Sequence, residues 1–386
     1  MCKFAGMDFH EKFMLRCIDL AQNGKGFVEP NPYVGAVLVC RDEIIGEGYH
    51  RGFGQDHAEV IAIRNAEKNG LLETTDPISL YVNLEPCVHH GKTPPCTELI
   101  LKYPIIRTVI VSCKDPNPLV SGKGIAKLKS SGVDVIEGIS EEKCKQLNRV
   151  FLTFHQHRRP YIILKWAQTV DGFMASPAIP LPTPTLPFPH PTSPTPSPTL
   201  PQMGKGENKG GISNKYSRKL VHKWRTECQA IMVGTNTAID DNPMLNVREW
   251  QGKNPLRVVL DRELKIPRHY HLFDQSQPTV CFNQQLDEKN GLLEFVKLKF
   301  DTSLLAKILQ WLYEHQIQSV LVEGGAMLLN EFLTQNKWDE ARVFSSGNSC
   351  IEGLRAPEIR AHVSEVHQID GDTLRIYFAN TGGFLR

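Results

Sequence analysis

The stretch Leu84-Glu85-Pro86-Cys87-Val88-His89-His90-Gly91-Lys92-Thr93-Pro94-Pro95-Cys96, read together with His57-Ala58-Glu59, constrains this chain more than any other. Two thiols and an imidazole in these settings offer three ligands to one zinc ion, so the fold must bring together three points well separated in sequence. A structural zinc site usually closes with four protein ligands. Three ligands and a Glu two residues from the His leave one position for water, which is the arrangement of a hydrolytic site. Local signals support the convergence. Helical periodicity over 58–66 puts His57 and Glu59 at a helix N-terminus, with Asp56 as its expected cap. The strand predicted over 79–84 delivers Cys87 at its C-terminal end, where α/β folds gather their chemistry. Pro94-Pro95 starts a helix over 96–102, so Cys96 falls in a first turn, where free N–H groups and the positive helix end favour a thiolate.

Each signal alone is ordinary. A His beside Ala at a helix start is more often a cap or a core residue, and a Pro-Cys pair by itself carries nothing; the combination is what points to zinc. His89 and His90 compete as ligands, but adjacent loop residues rarely both face one metal, and Cys96 has the better helix-start setting. The chemistry that fits is hydrolytic deamination of an amino-heteroaromatic ring. Zinc lowers the pKa of bound water to about 7, and Glu59 can carry the proton from that water to the ring nitrogen and the leaving amine. The roles are then His57, Cys87 and Cys96 as metal ligands and Glu59 as general acid/base.

Around this motif the chain alternates helices and strands. A helix over 8–23, a hairpin of strands 36–40 and 43–49, the strand–helix pairs above, and a strand 108–112, helix 124–131 and strand 133–136 make a three-layer α/β domain over residues 1–150. A charged helix over 141–157 leads to a second alternation in 151–386: strands at 161–165, 230–233, 256–260, 279–282, 295–300, 319–323 and 374–378, with helices at 214–227, 303–315 and 326–334. Between Pro177 and Pro201 lie eleven of the 26 prolines, interleaved with Ser and Thr. No core forms from such a run, and with the Gly-rich stretch that follows, 177–211 reads as a disordered surface insert.

At 386 residues there is room for two domains. A net charge of +2 without a Lys/Arg stripe argues against a nucleic-acid partner. Residues 1–11 lack the apolar core of a signal peptide and no window offers a membrane span, which predicts a cytoplasmic protein. Of ten cysteines only Cys87 and Cys96 sit in a motif; the others are expected to be small core or surface residues.

Nucleic-acid and nucleoside deaminases space their cysteines as P-C-x-x-C. Here eight residues separate them. That insert, VHHGKTPP, together with EPNPYVGAVLV, HAEVIAI, KDPNP, KWAQTVDG and LVEGG, resembles the bifunctional deaminase/reductase family of riboflavin biosynthesis. The resemblance implies a cytidine-deaminase-like domain that removes the 2-amino group of 2,5-diamino-6-(5-phosphoribosylamino)pyrimidin-4(3H)-one. It implies a dihydrofolate-reductase-like domain that then reduces the ribosyl group to ribityl with NADPH. It also implies that Asn31, His50, His89 and Lys92 shape the deaminase pocket and that the protein is a homo-oligomer.

The second half has no G-x-G-x-x-G after a strand, so a Rossmann site is not supported. Glycines at Gly234 and Gly324-Gly325 follow strands, a weak signal for a pyrophosphate near a helix start. The resemblance assigns NADPH contacts to Ala167, Thr237, Asp241 and the turn Gly325, Ala326, Met327, Leu328, Leu329, Asn330 and Glu331. It assigns the phosphorylated substrate to Lys165, Arg225, Leu245, Arg248 and Glu323, the arginines suiting a phosphate through their forked donors. One departure stands out. Where the family has a Ser/Trp-Ile-Thr segment, this chain reads Lys209-Gly210-Gly211-Ile212-Ser213 after the Pro-rich insert. The competing reading is an active deaminase whose reductase half has become a binding or oligomerisation module.

Overall fold

The computed structural model describes residues 9–90, 94–117, 120–175, 212–349 and 353–379. The chain begins with α1 (Phe9–Gln22), the hairpin β1 (Gly35–Cys40) and β2 (Glu43–Tyr49), then α2 (Ala58–Lys68), β3 (Ile78–Leu84), α3 (Cys96–Leu101), β4 (Ile106–Cys113), α4 (Lys123–Ser130) and β5 (Asp134–Glu137). These strands form one five-stranded sheet in the order β2-β1-β3-β4-β5. β1 runs antiparallel to β2 and β3, and β3, β4 and β5 are parallel.

Alternation along the strands fills both faces. Val37, Val39 and Tyr81 meet Phe13, Met14 and Cys17 of α1 on one side. Ala36, Leu38, Leu80 and Val82 meet Ala58, Ala62 and Ala66 of α2 on the other, together with Ile100 of α3 and Leu128 of α4. The result is three layers. The hairpin lets α2 lie close: a Cβ at Gly48 would stand 2.4 Å from the Ala58 carbonyl oxygen. Only glycine permits that approach, and it holds the start of α2 beside the strand that ends at His50.

The helix expected over 141–157 is two helices, α5 (Glu141–Leu147) and α6 (Arg149–His157). The break falls at Asn148, which is fully buried and turns its side chain to the Tyr33 backbone, accepting from its N–H at 2.8 Å and donating to its carbonyl at 3.0 Å. Its own backbone still makes both ladder bonds, N–H to the Cys144 carbonyl and carbonyl to the Leu152 N–H, each 2.9 Å, so the side chain ties the junction of the two helices to the Tyr33 loop.

The second half contributes β6 (Tyr161–Gln168), β7 (Phe173–Ala175), α7 (Lys215–Glu227), β8 (Ala230–Gly234), α8 (Thr235–Asp241), β9 (Leu256–Leu260), β10 (Thr279–Asn283), β11 (Glu288–Asn290), β12 (Leu293–Lys297), α9 (Leu304–Glu314), β13 (Ser319–Val322), α10 (Ala326–Thr334), β14 (Glu340–Ser345), β15 (Leu354–Arg355), β16 (Val363–Ile369) and β17 (Asp372–Phe378). Ten of these strands form a mixed sheet in the order β11-β12-β10-β9-β8-β13-β6-β14-β17-β16. Ile162 and Leu164 of β6 pack with Ile308, Leu312 and Phe332 of α9 and α10, while Tyr161 and Ile163 pack with Val221 and Trp224 of α7. The proline-rich insert over 177–211 lies outside the described residues, as does Lys92.

β14 is central to the sheet yet does not read as a strand, because it carries Glu340 and Arg342. Both are buried and paired: Arg342 Nε donates to Glu340 Oε1 at 2.6 Å, and Arg149 of α6 donates to Oε2 at 3.0 Å. No helix among the described residues is long and apolar enough to cross a membrane.

Candidate active sites

Three chain segments converge at one end of the first sheet. His57 is the residue immediately before α2, Cys87 follows the end of β3, and Cys96 opens α3. Their ligand atoms lie within 4.8 Å of one another. His57 Nδ1 is 3.2 Å from Cys96 Sγ and 3.6 Å from Cys87 Sγ. The start of α3 clamps Cys87 in place: the Cys96 N–H donates to its sulfur at 3.3 Å, and Thr97 donates to its carbonyl from both backbone N–H, at 3.2 Å, and hydroxyl, at 3.1 Å. An N–H at a helix start aimed at sulfur favours thiolate. A hydrogen bond from Cys96 draws the Cys87 thiol down, and Cys87 in turn drives Cys96 up. A soft donor set of this composition fits zinc.

Glu59 lies two residues beyond His57 in the first turn of α2, 3% exposed. Burial raises its carboxyl above the usual range, with His57 opposing. Such a carboxyl can hold a proton and release it. Asp56 does not cap α2: its carboxylate pairs with Arg64, further along the same helix, and α2 has no side-chain cap.

A cavity of about 270 Å³ opens in front of Glu59 and is walled by Asn31, His50, His57, His89, Asp115 and Asn117 among others. Asn31 Nδ2 lies 2.9 Å from His50 Nε2, and His50 Nδ1 lies 3.0 Å from the Asp56 carbonyl. Both contacts are satisfied at once by a neutral ring protonated on Nδ1. Burial lowers the His50 pKa, in keeping with that form. Three of the four pocket residues inferred from resemblance are therefore on the cavity wall.

Asp115, Asn117 and Glu85 are site residues that the sequence reasoning misses. Asp115 accepts from the Asn117 N–H at 2.8 Å, and burial pushes its carboxyl up to about 7. Glu85 accepts four backbone N–H groups: Gly124 at 2.8 Å and Ile125 at 3.2 Å on Oε1, Gly122 at 2.9 Å and Asp115 at 3.3 Å on Oε2. α4 begins at a glycine and has no cap of its own, so a carboxylate from the end of β3 supplies it. The KDPNP block marks the Asp115 loop; nothing local marks Glu85.

In the second half, Glu323 follows β13 and meets Lys165 of β6 and Arg225 of α7. Arg225 grips it bidentately, Nε to Oε1 at 2.9 Å and Nη2 to Oε2 at 3.0 Å, and Lys165 Nζ stands 3.9 Å from Oε2. Burial opposes ionisation of Glu323, but Arg225 and Lys165 outweigh it and hold the carboxyl down at about 2. Burial lowers the Lys165 ammonium. Arg225 Nη1 donates to the Asn246 carbonyl at 2.9 Å, beside Leu245. The Arg225 fork expected to hold phosphate is thus engaged by Glu323. Arg248 is exposed, its guanidinium touching only Asn246 Oδ1, at 3.3 Å, among the hydrogen bonds seen.

The 325–331 segment is the cap and first turns of α10, the helix expected over 326–334, with Gly325 as N-cap. A Cβ there would lie 3.1 Å from the Thr237 hydroxyl, so Thr237 and the helix start adjoin. A Cβ at Gly234 would meet nothing within 4 Å, which leaves room for a phosphate near backbone N–H groups and fits a dinucleotide. Ala167 is half-buried two residues beyond Lys165, on the same face of β6, and Asp241 is exposed at the end of α8. Met327 is 73% exposed, whereas Leu329 is fully buried in the core beneath α10, which turns its side chain away from any cofactor. Ala326 is buried, Leu328 is half-buried, and Asn330 and Glu331 are exposed.

A cytidine-deaminase-type metal centre followed in one chain by a reductase domain defines a bifunctional enzyme. Residues 7–113 match the cytidine and deoxycytidylate deaminase zinc-binding region, and residues 160–346 match the RibD C-terminal domain. The riboflavin biosynthesis protein RibD of Aquifex aeolicus is 38% identical over 355 residues, covering 90% of this chain and 89% of its own. That of Synechocystis is 35% identical over 350 residues, 89% and 86% of the two chains. The crystal structure of a diaminohydroxyphosphoribosylaminopyrimidine deaminase/5-amino-6-(5-phosphoribosylamino)uracil reductase from Thermotoga maritima superposes with a TM-score of 0.79 at 36% identity, over 96% of this chain and 99% of that one. The chain belongs to the RibD family of riboflavin-biosynthesis proteins and carries both its deaminase and its reductase domain. An intact Lys165–Glu323–Arg225 cluster gives no support to a decayed second half.

Proposed function

We propose that the first domain, about residues 1–150, deaminates the phosphoribosylated diaminopyrimidine named for the Thermotoga relative, and that residues 151–386 then reduce its ribosyl chain. The observation that carries the reading is the meeting of His57, Cys87 and Cys96 with the buried carboxyl of Glu59 at the floor of a cavity walled by hydrogen-bonding groups. His57, Cys87 and Cys96 would hold the zinc, which when bound would supply hydroxide at neutral pH. Glu59 would carry two protons in turn: the first from the attacking water to the ring nitrogen, the second from the newly formed hydroxyl to the departing amine. Asn31, His50, His89 and Asp115 orient the ring, and Lys92 belongs with them by resemblance alone.

For the second step, NADPH supplies the hydride when bound. Thr237, Asp241, Ala167 and the 325–331 segment form its berth, Leu329 through backbone only. Lys165 Nζ stands close to the reacting sugar as a proton source, its ammonium lowered by burial with Glu323 opposing. Arg248 meets the substrate's phosphate end, Leu245, buried in the core, contributing through backbone only, while Arg225 fixes Glu323. A homo-oligomer in the cytoplasm, acting on a small molecule rather than nucleic acid, completes the proposal.

The test is to supply the diaminopyrimidine phosphate to the zinc-loaded protein and to follow ammonia release and NADPH absorbance together. Ammonia release followed by a matching fall in NADPH absorbance supports the proposal. Ammonia without NADPH oxidation selects a deaminase with an idle second half, and the absence of both signals refutes both readings.

A further inference from the structure

Gln318 belongs to the second domain, yet its side chain serves the first. It directly precedes β13, is 3% exposed, and its Nε2 donates to the Pro30 carbonyl at 2.8 Å. Its backbone is pinned on both sides: the N–H donates to the Gln229 side chain, and the carbonyl accepts from the Tyr161 N–H at 2.8 Å. The amide therefore projects from a rigid base.

The group it reaches is the peptide that leads into Asn31. Pro30 and Pro32 lack N–H groups, so the loop has few donors with which to fix itself. The Asn31 N–H is held within the loop by the Val28 carbonyl at 2.9 Å, whereas the Pro30 carbonyl is held from outside by Gln318, and the Asn31 side chain bonds His50 at 2.9 Å. The His50 ring meets the His57 ring edge-on, with centroids 5.5 Å apart. Gln316 and Gln318 both border the cavity that contains Glu59. An unbroken series of contacts thus runs from the second domain's sheet through Pro30, Asn31 and His50 to the metal centre.

We propose that Gln318 is a positioning residue of the deaminase, so that the deaminase pocket is completed by the reductase domain and not by residues 1–150 alone. The inference rests on the deaminase reading above. Removing the amide releases the carbonyl side of the Pro30–Asn31 peptide, whose N–H side stays on Val28, so the peptide can tilt, lengthening the Asn31–His50 contact and loosening the wall that seats the ring. The consequence is weaker ring binding, with the metal centre and the reductase left as they are.

The full-length, zinc-loaded Gln318→Met variant keeps the side-chain length and packing but cannot donate. It should raise KM for the diaminopyrimidine phosphate about tenfold, the loss of one hydrogen bond of about 1.4 kcal/mol, with kcat within about threefold. Zinc content should stay at wild type, and NADPH oxidation with the deaminated intermediate supplied should change less than about twofold. In an Asn31→Ala background the same substitution should add little, because the two act in series. Wild-type KM in Gln318→Met, a parallel fall in reductase turnover, or additive losses in the double variant each overturn the proposal. Failure of the underlying reading shows differently, as no ammonia release by the wild-type protein itself.

Discussion

Replacing Glu85 with glutamine tests how the deaminase loop is held. Glu85 accepts four backbone N–H groups, two on each carboxylate oxygen. Either orientation of the new amide turns an NH2 towards two N–H donors, so two bonds are lost whichever way it sits. A hydrogen bond to a charged group contributes about 1.5–3 kcal/mol. Each oxygen has one short partner, Gly124 at 2.8 Å or Gly122 at 2.9 Å, and one longer, Ile125 at 3.2 Å or Asp115 at 3.3 Å. The short bond counts in full and the long one for less, which gives a loss of about 3–4 kcal/mol. For a domain of this size that lowers Tm by about 6–16 °C. The same loop carries Asp115 and Asn117, so KM for the pyrimidine should rise while zinc binding persists. Calorimetry of the full-length variant, with ammonia release as the second readout, checks both. A Glu85→Gln variant melting within about 2 °C of wild type would show that water or another donor replaces the carboxylate, and would refute the reasoning.

Glu59→Gln should lower deaminase kcat by about 10²–10⁴, the range for a general acid/base, with zinc content unchanged by metal analysis and reductase turnover intact. Glu323→Gln leaves Arg225 and Lys165 facing each other without the carboxylate; NADPH oxidation should fall at least about tenfold while ammonia release continues. Acid stability follows from Glu340. Burial disfavours its charge, but Arg342 and Arg149 outweigh that and hold the carboxyl at about 2. Because the folded pKa lies below an unfolded value of about 4.3, its contribution is complete above that value and is lost as pH falls towards 2. Urea midpoints measured from pH 6 down to pH 2.5 should fall more steeply in wild type than in Glu340→Gln; parallel slopes would contradict the assignment.

Much of the deaminase site is legible in the sequence because its residues are tied to local signals. A proline pair starts α3, a helical period places His57, and a short, mostly apolar strand ends before Cys87. What stays hidden acts at a distance. Glu85 caps a helix almost forty residues downstream, and Gln318 reaches a loop in the other domain; neither has a sequence partner at any fixed spacing. Asn148, at the junction of α5 and α6, gives its amide to the Tyr33 backbone, a demand invisible along the helix itself. β14 escapes notice for the opposite reason. Glu340 and Arg342 look like surface charge, and only the arrival of Arg149 from α6 makes a buried strand of them. In the second half, the site residues come from resemblance, because the glycines after β8 and β13 are a signal that any tight turn shares.

The two sites are prepared for their ligands in opposite ways. In the first, two sulfurs and an imidazole are gathered at the starts of α2 and α3, a donor set assembled for a cation. In the second, Lys165 and Arg225 face Glu323, and exposed Arg248 is offset by neighbouring Glu249, so the group as a whole retains one net positive charge. That surplus suits an anionic phosphate and an anionic dinucleotide. Because Glu323 already occupies the Arg225 fork, direct phosphate binding there would have to break a buried bidentate pair, a cost of about 3–5 kcal/mol for the charge left behind. Exposed Arg248 incurs no such cost. Arg248→Ala should therefore raise KM for the phosphorylated intermediate and leave kcat nearly unchanged, whereas Arg225→Ala should cost kcat by freeing Glu323 and lowering its grip on Lys165. Equal effects of the two substitutions on KM alone would mean that both arginines bind phosphate and that the Glu323 pair opens on binding.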